Sequence, residues 1–279
     1  MRKKFLGKEW FFEEFLPSEP QRSTWGFLIE GKIFSGKSKF QKIEVFENKE
    51  LGRILVLDGM VQLSTKHEFI YHEMLVHPAM LYHKNPKRVL IIGGGDGGAL
   101  REVSKHPVKE IFLVEIDEKV IEVSKKYLSS VSKGAFDDKR LKIFNEDALK
   151  FVKRYKNDFD VIIEDLTDPL GFSSLLWRKR FYKDILQALK ENGVAAFQSG
   201  YLKEPFAKKA RRDLAKVFPF FKVHKAFVGC FPLDEHTFSF GSKKIDFDKI
   251  SFEEISKRFK KLKLKTKYYN PKVHFCSGL

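Results

Sequence analysis

Three carboxylic acids follow a short apolar run near the middle of the chain. The stretch VIIEDLTDP occupies residues 161–169 and contains Glu164, Asp165 and Asp168. Carboxylates crowded at the end of one strand repel each other and titrate abnormally, and a cation relieves that repulsion. The chain as a whole has a formal net charge of +16, so this cluster is not part of a generally acidic composition. The pattern indicates a site for a positively charged ligand.

Acids also follow the three strands predicted before this one. They are Asp96 in GGGDGG, Glu115 in VEID and Asp147 in NED. Glu115 comes about twenty residues after Gly93, the spacing at which an acid reaches ribose hydroxyls beyond the strand ends of a doubly wound sheet. Asp147 suits a purine amino group. A helix N-cap explains any one such acid, whereas four acidic strand ends in succession favour an adenosyl ligand.

The acid within the glycine-rich turn distinguishes between adenosyl ligands. A pyrophosphate needs bare backbone N–H groups at a helix N-terminus, and Asp96 would place an anion there. Asp96 would likewise repel the carboxylate of S-adenosylmethionine but attract a decarboxylated analogue that ends in an ammonium. The turn therefore favours the decarboxylated donor over both a dinucleotide and S-adenosylmethionine.

The elements around these acids predict an α/β fold. From residue 87 to about residue 245, apolar strands alternate with helices, as in KRVLIIGGG followed by ALREVSKH. Such strands indicate a doubly wound, mainly parallel sheet covered on both faces. The pattern predicts one helix over residues 66–83 and another over RFYKDILQALKENG, residues 180–193. Short β-type runs before them predict a β-strand domain over 1–64 and a Rossmann-like catalytic domain over 65–279.

Composition limits the class of protein. The stretch KRFKKLKLKTK, residues 257–267, is the densest basic segment, and alternation of Leu262 and Leu264 with lysine predicts the outer face of a half-buried strand. We therefore interpret the charge as a solvated surface and do not expect a nucleic-acid partner. No apolar run approaches the roughly 20 residues that span a membrane. Cys230 and Cys276 form no CxxC pair, which fits a reducing cytoplasm.

Several motifs together resemble the spermidine synthases, the polyamine aminopropyltransferases. They are GGGDGG, VEID, IIEDLTDP, LDGMVQL, EFIYHEMLVHPAML and YYNPKVH, and the resemblance extends from about Trp10 to Pro271. It implies a small N-terminal β domain joined to a Rossmann-like domain of the class I methyltransferase type, in a homodimer or homotetramer. It also implies transfer of an aminopropyl group from decarboxylated S-adenosylmethionine, a co-substrate, to putrescine or a related amine. Methylthioadenosine would be released, with neither a cofactor nor a metal.

The resemblance also implies roles for individual residues. Asp165 would be the catalytic base and Asp168 would hold the acceptor amine. His72 and Asp96 would lie near the amine ends of the ligands, and Glu115 would bind ribose. The remaining substrate-binding residues would be Asp147 and Ala148 at the adenine, Gln41 at the nucleoside, and Tyr71 and Gln62 as further contacts.

Two departures from the family pattern leave the acceptor open. The segment after the acids reads Asp168-Pro169-Leu170-Gly171-Phe172, where the family has proline in the place of Phe172. We expect residues 169–180 to close over the site. A later motif, whose tyrosine helps to place the amine, here carries Phe231 without a hydroxyl, and Asp234 and Glu235 follow it and could add negative charge. Putrescine, a longer polyamine and agmatine all stay open as acceptors.

Other functional classes fit the sequence less well. A methyltransferase that uses S-adenosylmethionine would share the fold and Glu115. This class is disfavoured by Asp96 and by the pair Asp165 and Asp168. A non-catalytic nucleic-acid-binding relative would have little need for the acidic set. His72 and His77 are five residues apart, whereas a metalloprotease helix places its two zinc-binding histidines four apart. We therefore do not expect these two histidines to bind a metal.

Overall fold

The computed structural model describes residues 1–13, 24–169 and 171–279, and of residues 171 and 172 it describes only the backbone. The strands in these residues are β1 (Arg2–Phe5), β2 (Lys8–Phe12), β3 (Gly26–Leu28), β4 (Gly31–Lys37), β5 (Lys42–Asn48), β6 (Gly52–Leu57), β7 (Met60–Ser64), β8 (Arg88–Gly93), β9 (Glu110–Val114), β10 (Leu141–Phe144), β11 (Phe159–Asp165), β12 (Leu189–Tyr201), β13 (Phe220–Ala226) and β14 (His236–Ser242).

The helices alternate with the later strands. They are α1 (Glu68–Tyr82), α2 (Gly98–Ser104), α3 (Glu118–Tyr127), α4 (Ser129–Ser132), α5 (Ala148–Phe151), α6 (Lys179–Ala188), α7 (Pro205–Val217), α8 (Phe252–Leu262) and α9 (Pro271–Cys276). Short 3-10 segments lie at Ala135–Asp137, Val152–Arg154, Gly171–Leu175 and Phe247–Lys249. None of the helices in the described ranges is long and apolar enough to cross a membrane.

One large sheet carries the second half of the fold. Its strand order is β10-β9-β8-β11-β12-β14-β13. The first five strands in that order pair in parallel, and β14 and β13 add antiparallel pairs at one edge. This arrangement confirms the predicted doubly wound, mainly parallel sheet of the methyltransferase-like type.

Successive side chains of the central strands point into two separate cores. Ile91 and Ile163 pack in a core with α1, α2 and α8, while Leu90 and Ile162 pack in another with α5, α6 and α7. Because side chains alternate across a strand, both faces of the sheet need an apolar cover. Burial on both faces explains why these strands are continuously apolar in sequence.

Among the described residues before α1, the strands form two antiparallel sheets, β1-β2-β3 and β4-β5-β6-β7. Phe11, Phe46 and Ile54 from these sheets lie in the same core cluster as Met74 of α1. Helix α1 is buried around almost its whole circumference, as expected for a helix between two layers. The helix therefore joins the small sheets to the large one.

Two secondary-structure predictions were wrong. The segment 257–267 is not a strand, because α8 extends to Leu262 and Lys263 ends it with a left-handed backbone (φ +49°). Apolar side chains at Ile255, Phe259 and Leu262 have helical spacing and pack on the core, and this spacing outweighs the alternation with lysine.

The helix predicted to continue to Gly193 ends at Ala188. Leu189 instead begins β12 and pairs with Phe159 of β11. Burial of Leu189 against this strand overrides the helix propensity of the polar residues that follow it.

Candidate active site

A cavity of about 510 Å³ lies at the carboxyl ends of the parallel strands, between the large sheet and the N-terminal sheets. All ten predicted site residues line it: Gln41, Gln62, Tyr71, His72, Asp96, Glu115, Asp147, Ala148, Asp165 and Asp168. The tertiary structure thus brings together residues that are up to 127 positions apart in the chain. Their individual roles stay predictions.

Asp165 is the last residue of β11, and the strand register places it opposite Gly93 at the end of β8. The hydroxyl of Tyr71 donates a hydrogen bond of 2.8 Å to Oδ1 of Asp165. The other oxygen, Oδ2, is buried and has no hydrogen-bond partner among the described residues. Burial and the nearby charge of Asp96 raise the pKa of Asp165 to about 6, although His72 and Tyr71 oppose the shift. Such a carboxylate is suited to accept a proton near neutral pH.

His72 lies between two of the acids. Its Nε2 is 3.4 Å from Oδ1 of Asp96 and 3.9 Å from Oδ2 of Asp165. Burial opposes protonation of the ring, but Asp96 and Glu68 outweigh it and raise the pKa of His72 well above the ordinary value. This close packing requires Gly98, because a Cβ there would overlap the His72 ring.

A buried ion pair holds His72 from the side away from the cavity. Nδ1 of His72 is 2.7 Å from Oε2 of Glu68, one turn earlier in α1. The two carboxylate oxygens of Glu68 accept hydrogen bonds of 2.8 and 2.9 Å from Arg101 of α2. A bidentate pair of this kind fixes the carboxylate plane, so α1 and α2 together orient the imidazole.

Ligand atoms of His72, Asp96 and Asp165 all lie within 4.8 Å of one another, a spacing that a metal ion could occupy. A protonated imidazole cannot coordinate a metal, since it has no free lone pair. A metal ion at this cluster would therefore have to displace a proton from His72, whose pKa is raised by Asp96 and Glu68. The same negative charges suit an organic ammonium.

The residues predicted to bind the nucleoside come from two strand ends and the N-terminal domain. Burial raises the pKa of Glu115, just after β9, to about 7, although the backbone N–H of Asp117 donates to it at 2.9 Å. Asp147 caps α5 by accepting from the N–H of Leu149, so one predicted ligand contact is also a helix N-cap. The side-chain amide of Gln41 donates to Asp117 at 2.9 Å, which fixes its position.

The opposite end contains a carboxylate that sequence reasoning missed. Glu13 is buried in the cavity wall, where its Oε1 accepts from the N–H of Val61 at 2.8 Å and its Oε2 accepts from Trp25. Burial raises the pKa of Glu13 to about 7, and neighbouring Asp168 adds to the shift. The signal available in the sequence is spacing, since Glu13 follows the buried Phe11 by two residues and so continues the same strand face.

Asp168 lies at this end with Glu13. Burial raises the pKa of Asp168 to about 6, opposed by a hydrogen bond from Gln198. Its backbone oxygen accepts from the hydroxyl of Ser173 at 2.6 Å. Tyr201 also lines the cavity here. Asp168 and Glu13 form a second acidic region of the cavity.

The structure describes the side chain of only one of the two residues that depart from the family motifs. Phe231 lines the cavity with its ring 6.0 Å from that of Tyr71, whereas the side chain of Phe172 lies outside the described residues. Within residues 169–180, Ser173 and Leu176 line the cavity. Asp234 and Glu235 are not in the cavity lining; they accept from the N–H of Lys203 and from Lys225, respectively.

Comparisons with known proteins agree with this geometry. Residues 68–251 match the model of the spermine/spermidine synthase domain, and residues 10–65 match that of the spermidine synthase tetramerisation domain.

Curated relatives cover most of the chain. The chain is 43% identical over 270 residues to the polyamine aminopropyltransferase of Hydrogenobaculum sp., covering 96% of this chain and 92% of the relative. It is 44% identical over 251 residues to polyamine aminopropyltransferase 1 of Aquifex aeolicus, covering 89% and 86%.

Solved structures give the same result. A spermidine synthase in complex with the transition-state analogue AdoDATO superposes with a TM-score of 0.90 at 39% identity, covering 99% of this chain and 92% of that one. The spermidine synthase from Thermotoga maritima gives a TM-score of 0.87 at 38% identity, covering 99% and 92%. On its sequence, its fold and the assembly of its acidic cavity, the chain belongs to the spermine/spermidine synthase family.

Proposed function

We propose that the protein is a polyamine aminopropyltransferase that uses decarboxylated S-adenosylmethionine as a co-substrate and Asp165 as the general base. The observation that carries this proposal is the buried, unpartnered Oδ2 of Asp165, which faces His72 and Asp96 in a cavity lined by acids. A buried acceptor atom without a partner costs about 1–3 kcal/mol. An amine N–H at this position would remove that cost.

The reaction moves positive charge from sulfur to nitrogen. The amine nitrogen attacks the aminopropyl carbon next to the sulfonium, a C–N bond forms, and the C–S bond breaks with its electrons going to sulfur. Methylthioadenosine leaves as a neutral thioether and the new ammonium transfers a proton to Asp165. The carboxylate therefore stabilises charge as it develops on nitrogen and then accepts the proton.

Two carboxylate regions separate the tasks of binding and deprotonation. Carboxylates near an amine hold it in the protonated form, which would prevent attack by the reacting nitrogen. In the proposed arrangement, Asp168 and Glu13 hold the distal ammonium, while Asp165 serves the reacting nitrogen. Orientation of the two substrates would supply much of the remaining rate.

At the donor, Glu115 would bind ribose, Asp147 and Ala148 the adenine, and Gln41 and Gln62 further parts of the nucleoside side. The support is that all five line the same cavity and that the Gln41 amide is fixed by Asp117. His72 and Asp96 would face the aminopropyl ammonium, with Tyr71 holding Asp165 in place.

A methyltransferase activity is not favoured. Asp96 keeps a carboxylate at the start of α2, where it accepts from the N–H of Gly98 at 2.6 Å. The carboxylate of S-adenosylmethionine would meet this anion. The curated relatives reported above, which match most of the chain, are polyamine aminopropyltransferases.

Several wider properties belong to the same proposal. We propose domains over 1–64 and 65–279, no cofactor or metal, and a homodimer or homotetramer, since residues 10–65 match a tetramerisation domain. A cytoplasmic location is supported by Cys230 and Cys276, which are both free thiols.

An endpoint assay tests this function. The purified protein is mixed with decarboxylated S-adenosylmethionine and, separately, with putrescine, agmatine, cadaverine, spermidine and norspermidine, with and without a metal chelator. We expect methylthioadenosine and an elongated amine with one or two acceptors, at the same yield in chelator. If folded protein that binds the nucleoside makes no methylthioadenosine with any amine, the proposed function is wrong.

A further inference from the structure

His236, at the start of β14, lines the cavity but none of the proposed steps uses it. The residue is 6% exposed, and neither ring nitrogen has a hydrogen-bond partner among the described residues. Other buried histidines of the chain do have such partners: His224 contacts Tyr82, and His274 contacts Tyr269. The fold therefore leaves both ring nitrogens of His236 buried beside the cavity without a hydrogen bond from the described residues.

Aromatic rings surround this imidazole. Its centroid lies 5.3 Å from Tyr71, 5.4 Å from Phe231, 5.3 Å from Phe238 and 6.0 Å from Tyr201. Three of these four rings also line the cavity, namely Tyr71, Phe231 and Tyr201. Faces of aromatic rings attract a desolvated cation, so the surroundings of His236 suit a positively charged nitrogen.

His236 lies between the two acidic regions. On one side it contacts Tyr71, whose hydroxyl is bonded to Asp165. On the other side it pairs in register with Tyr201, whose pKa is raised by burial and by the charges of Glu13 and Asp168. His236 thus contacts one neighbour of each acidic region, which puts it beside the path of an acceptor that reaches from Asp165 to Asp168 and Glu13.

From this placement we propose that His236 determines acceptor specificity by accepting a hydrogen bond from the internal nitrogen of a linear triamine. The proposal rests on the aminopropyltransferase function given above. A simple diamine has only methylene groups between its terminal nitrogens. When bound, it would leave the ring nitrogens of His236 buried without a hydrogen-bond donor. A triamine supplies an N–H donor at the same point and places its charge against the surrounding rings.

The charge state of the imidazole fits this role. Burial and the positive charge of Arg211 lower the pKa of His236 to about 3. The ring is therefore neutral at physiological pH, with one nitrogen free to accept a hydrogen bond. Phe231 lacks the hydroxyl that the family motif carries at that position, so it adds no polar atom to this wall, whereas His236 adds two ring nitrogens.

The test compares two acceptors of equal length. Spermidine and 1,8-diaminooctane have the same number of atoms between their terminal nitrogens. Spermidine has an internal amine at a position where 1,8-diaminooctane has a methylene group. We measure kcat/KM for each with the wild-type chain and with His236→Phe, which keeps the ring and its packing. The wild type should prefer spermidine by roughly ten- to a hundredfold, the range for one hydrogen bond to a charged group, and His236→Phe should lose most of that preference through the acceptor KM.

Two further variants separate polarity from packing. His236→Gln keeps a hydrogen-bond acceptor and should retain part of the preference for spermidine. Phe231→Leu alters the same wall without changing a polar atom, so it should lower kcat/KM for both acceptors alike. In every variant the KM for decarboxylated S-adenosylmethionine should stay at the wild-type value.

The possible outcomes are distinct. Equal kcat/KM for the two acceptors in the wild type overturns the inference even if no variant folds. An undiminished spermidine preference in folded His236→Phe also overturns it, while methylthioadenosine production in the same assays leaves the proposed function standing. Absence of methylthioadenosine with every acceptor would instead reject the proposed function itself.

Discussion

At the scale of single residues, the proposed chemistry depends on Asp165, whose Oδ2 has no hydrogen-bond partner among the described residues. Replacing Asp165 with asparagine keeps the shape of the side chain but removes the charge and the proton acceptor. We expect Asp165→Asn to lower kcat by at least about a hundredfold, in line with loss of a general base, while methylthioadenosine binds as in the wild type. Rapid-quench or endpoint kinetics with calorimetric binding would check this. Turnover near the wild-type rate would remove Asp165 from its proposed role.

At the same scale, we predict that Asp96 governs the choice of donor. Its carboxylate lies beside His72 and at the start of α2. The two donors differ by one carboxylate, which we expect to lie near Asp96. Asp96→Asn should therefore narrow the difference in Kd between S-adenosylmethionine and its decarboxylated form by about tenfold. Titration calorimetry with both ligands measures it.

The control for the donor experiment is Asp168→Asn, which changes a carboxylate at the acceptor end of the cavity. It should leave the ratio of the two donor Kd values unchanged. An equal change in both variants would mean that total charge in the cavity, and not the position of Asp96, selects the donor.

At the scale of secondary-structure elements, helices α1 and α2 control the charge of the site. Glu68 joins His72 to Arg101, so Glu68→Gln would weaken the ion pair and lower the pKa of His72. A less protonated His72 would stabilise the Asp165 carboxylate less, so the pKa of Asp165 would rise. We expect the acidic limb of the kcat/KM profile to move to higher pH, with kcat lowered by about tenfold.

Breaking a buried pair costs on the order of 3–5 kcal/mol, so stability needs a matched control. Glu102 provides it, because it is also buried and pairs with Arg101, but binds His77 on the side away from the cavity. Glu102→Gln should destabilise the fold to a similar degree without moving the pH profile. If both variants move it equally, Glu68 has only a structural role.

At the scale of the whole molecule, the acidic cavity lowers stability as the pH rises from about 4 to neutral. The pKa of Asp168 is about 6 in the folded chain and near 3.8 ordinarily, because burial penalises its charged form. A carboxyl whose folded pKa is raised contributes stability that is fully present below its ordinary pKa and is lost as pH rises through the folded value.

Asp168→Asn should therefore increase the free energy of unfolding at pH 8, by at most about 3 kcal/mol, and change it little at pH 4. Denaturant unfolding at both pH values measures the difference. Glu122→Gln, an exposed carboxylate paired with Lys119, should have almost no effect at either pH. A loss of stability at pH 8 in Asp168→Asn would show that the carboxylate is held by contacts stronger than its desolvation cost.

The amino-acid sequence by itself determined the fold class and most of the candidate site. Continuous apolar strands can be satisfied only by burial on both faces of a sheet, which is a local property of the residues. Acids directly after those strands had to meet at one edge, because parallel strands place their carboxyl ends together. Asp96, Glu115, Asp147 and Asp165 were predictable for this reason.

The tertiary structure alone decided what surrounds those acids. Glu13 comes from β-structure outside the parallel sheet, and His236 comes from the antiparallel edge, so neither follows a predicted strand end. Their burial, and with it their unusual pKa values, depends on side chains that are distant in sequence. Local periodicity indicates which face of an element is apolar. Packing between elements decides which polar atoms lose their contact with water, and this desolvation determines the chemistry of the cavity.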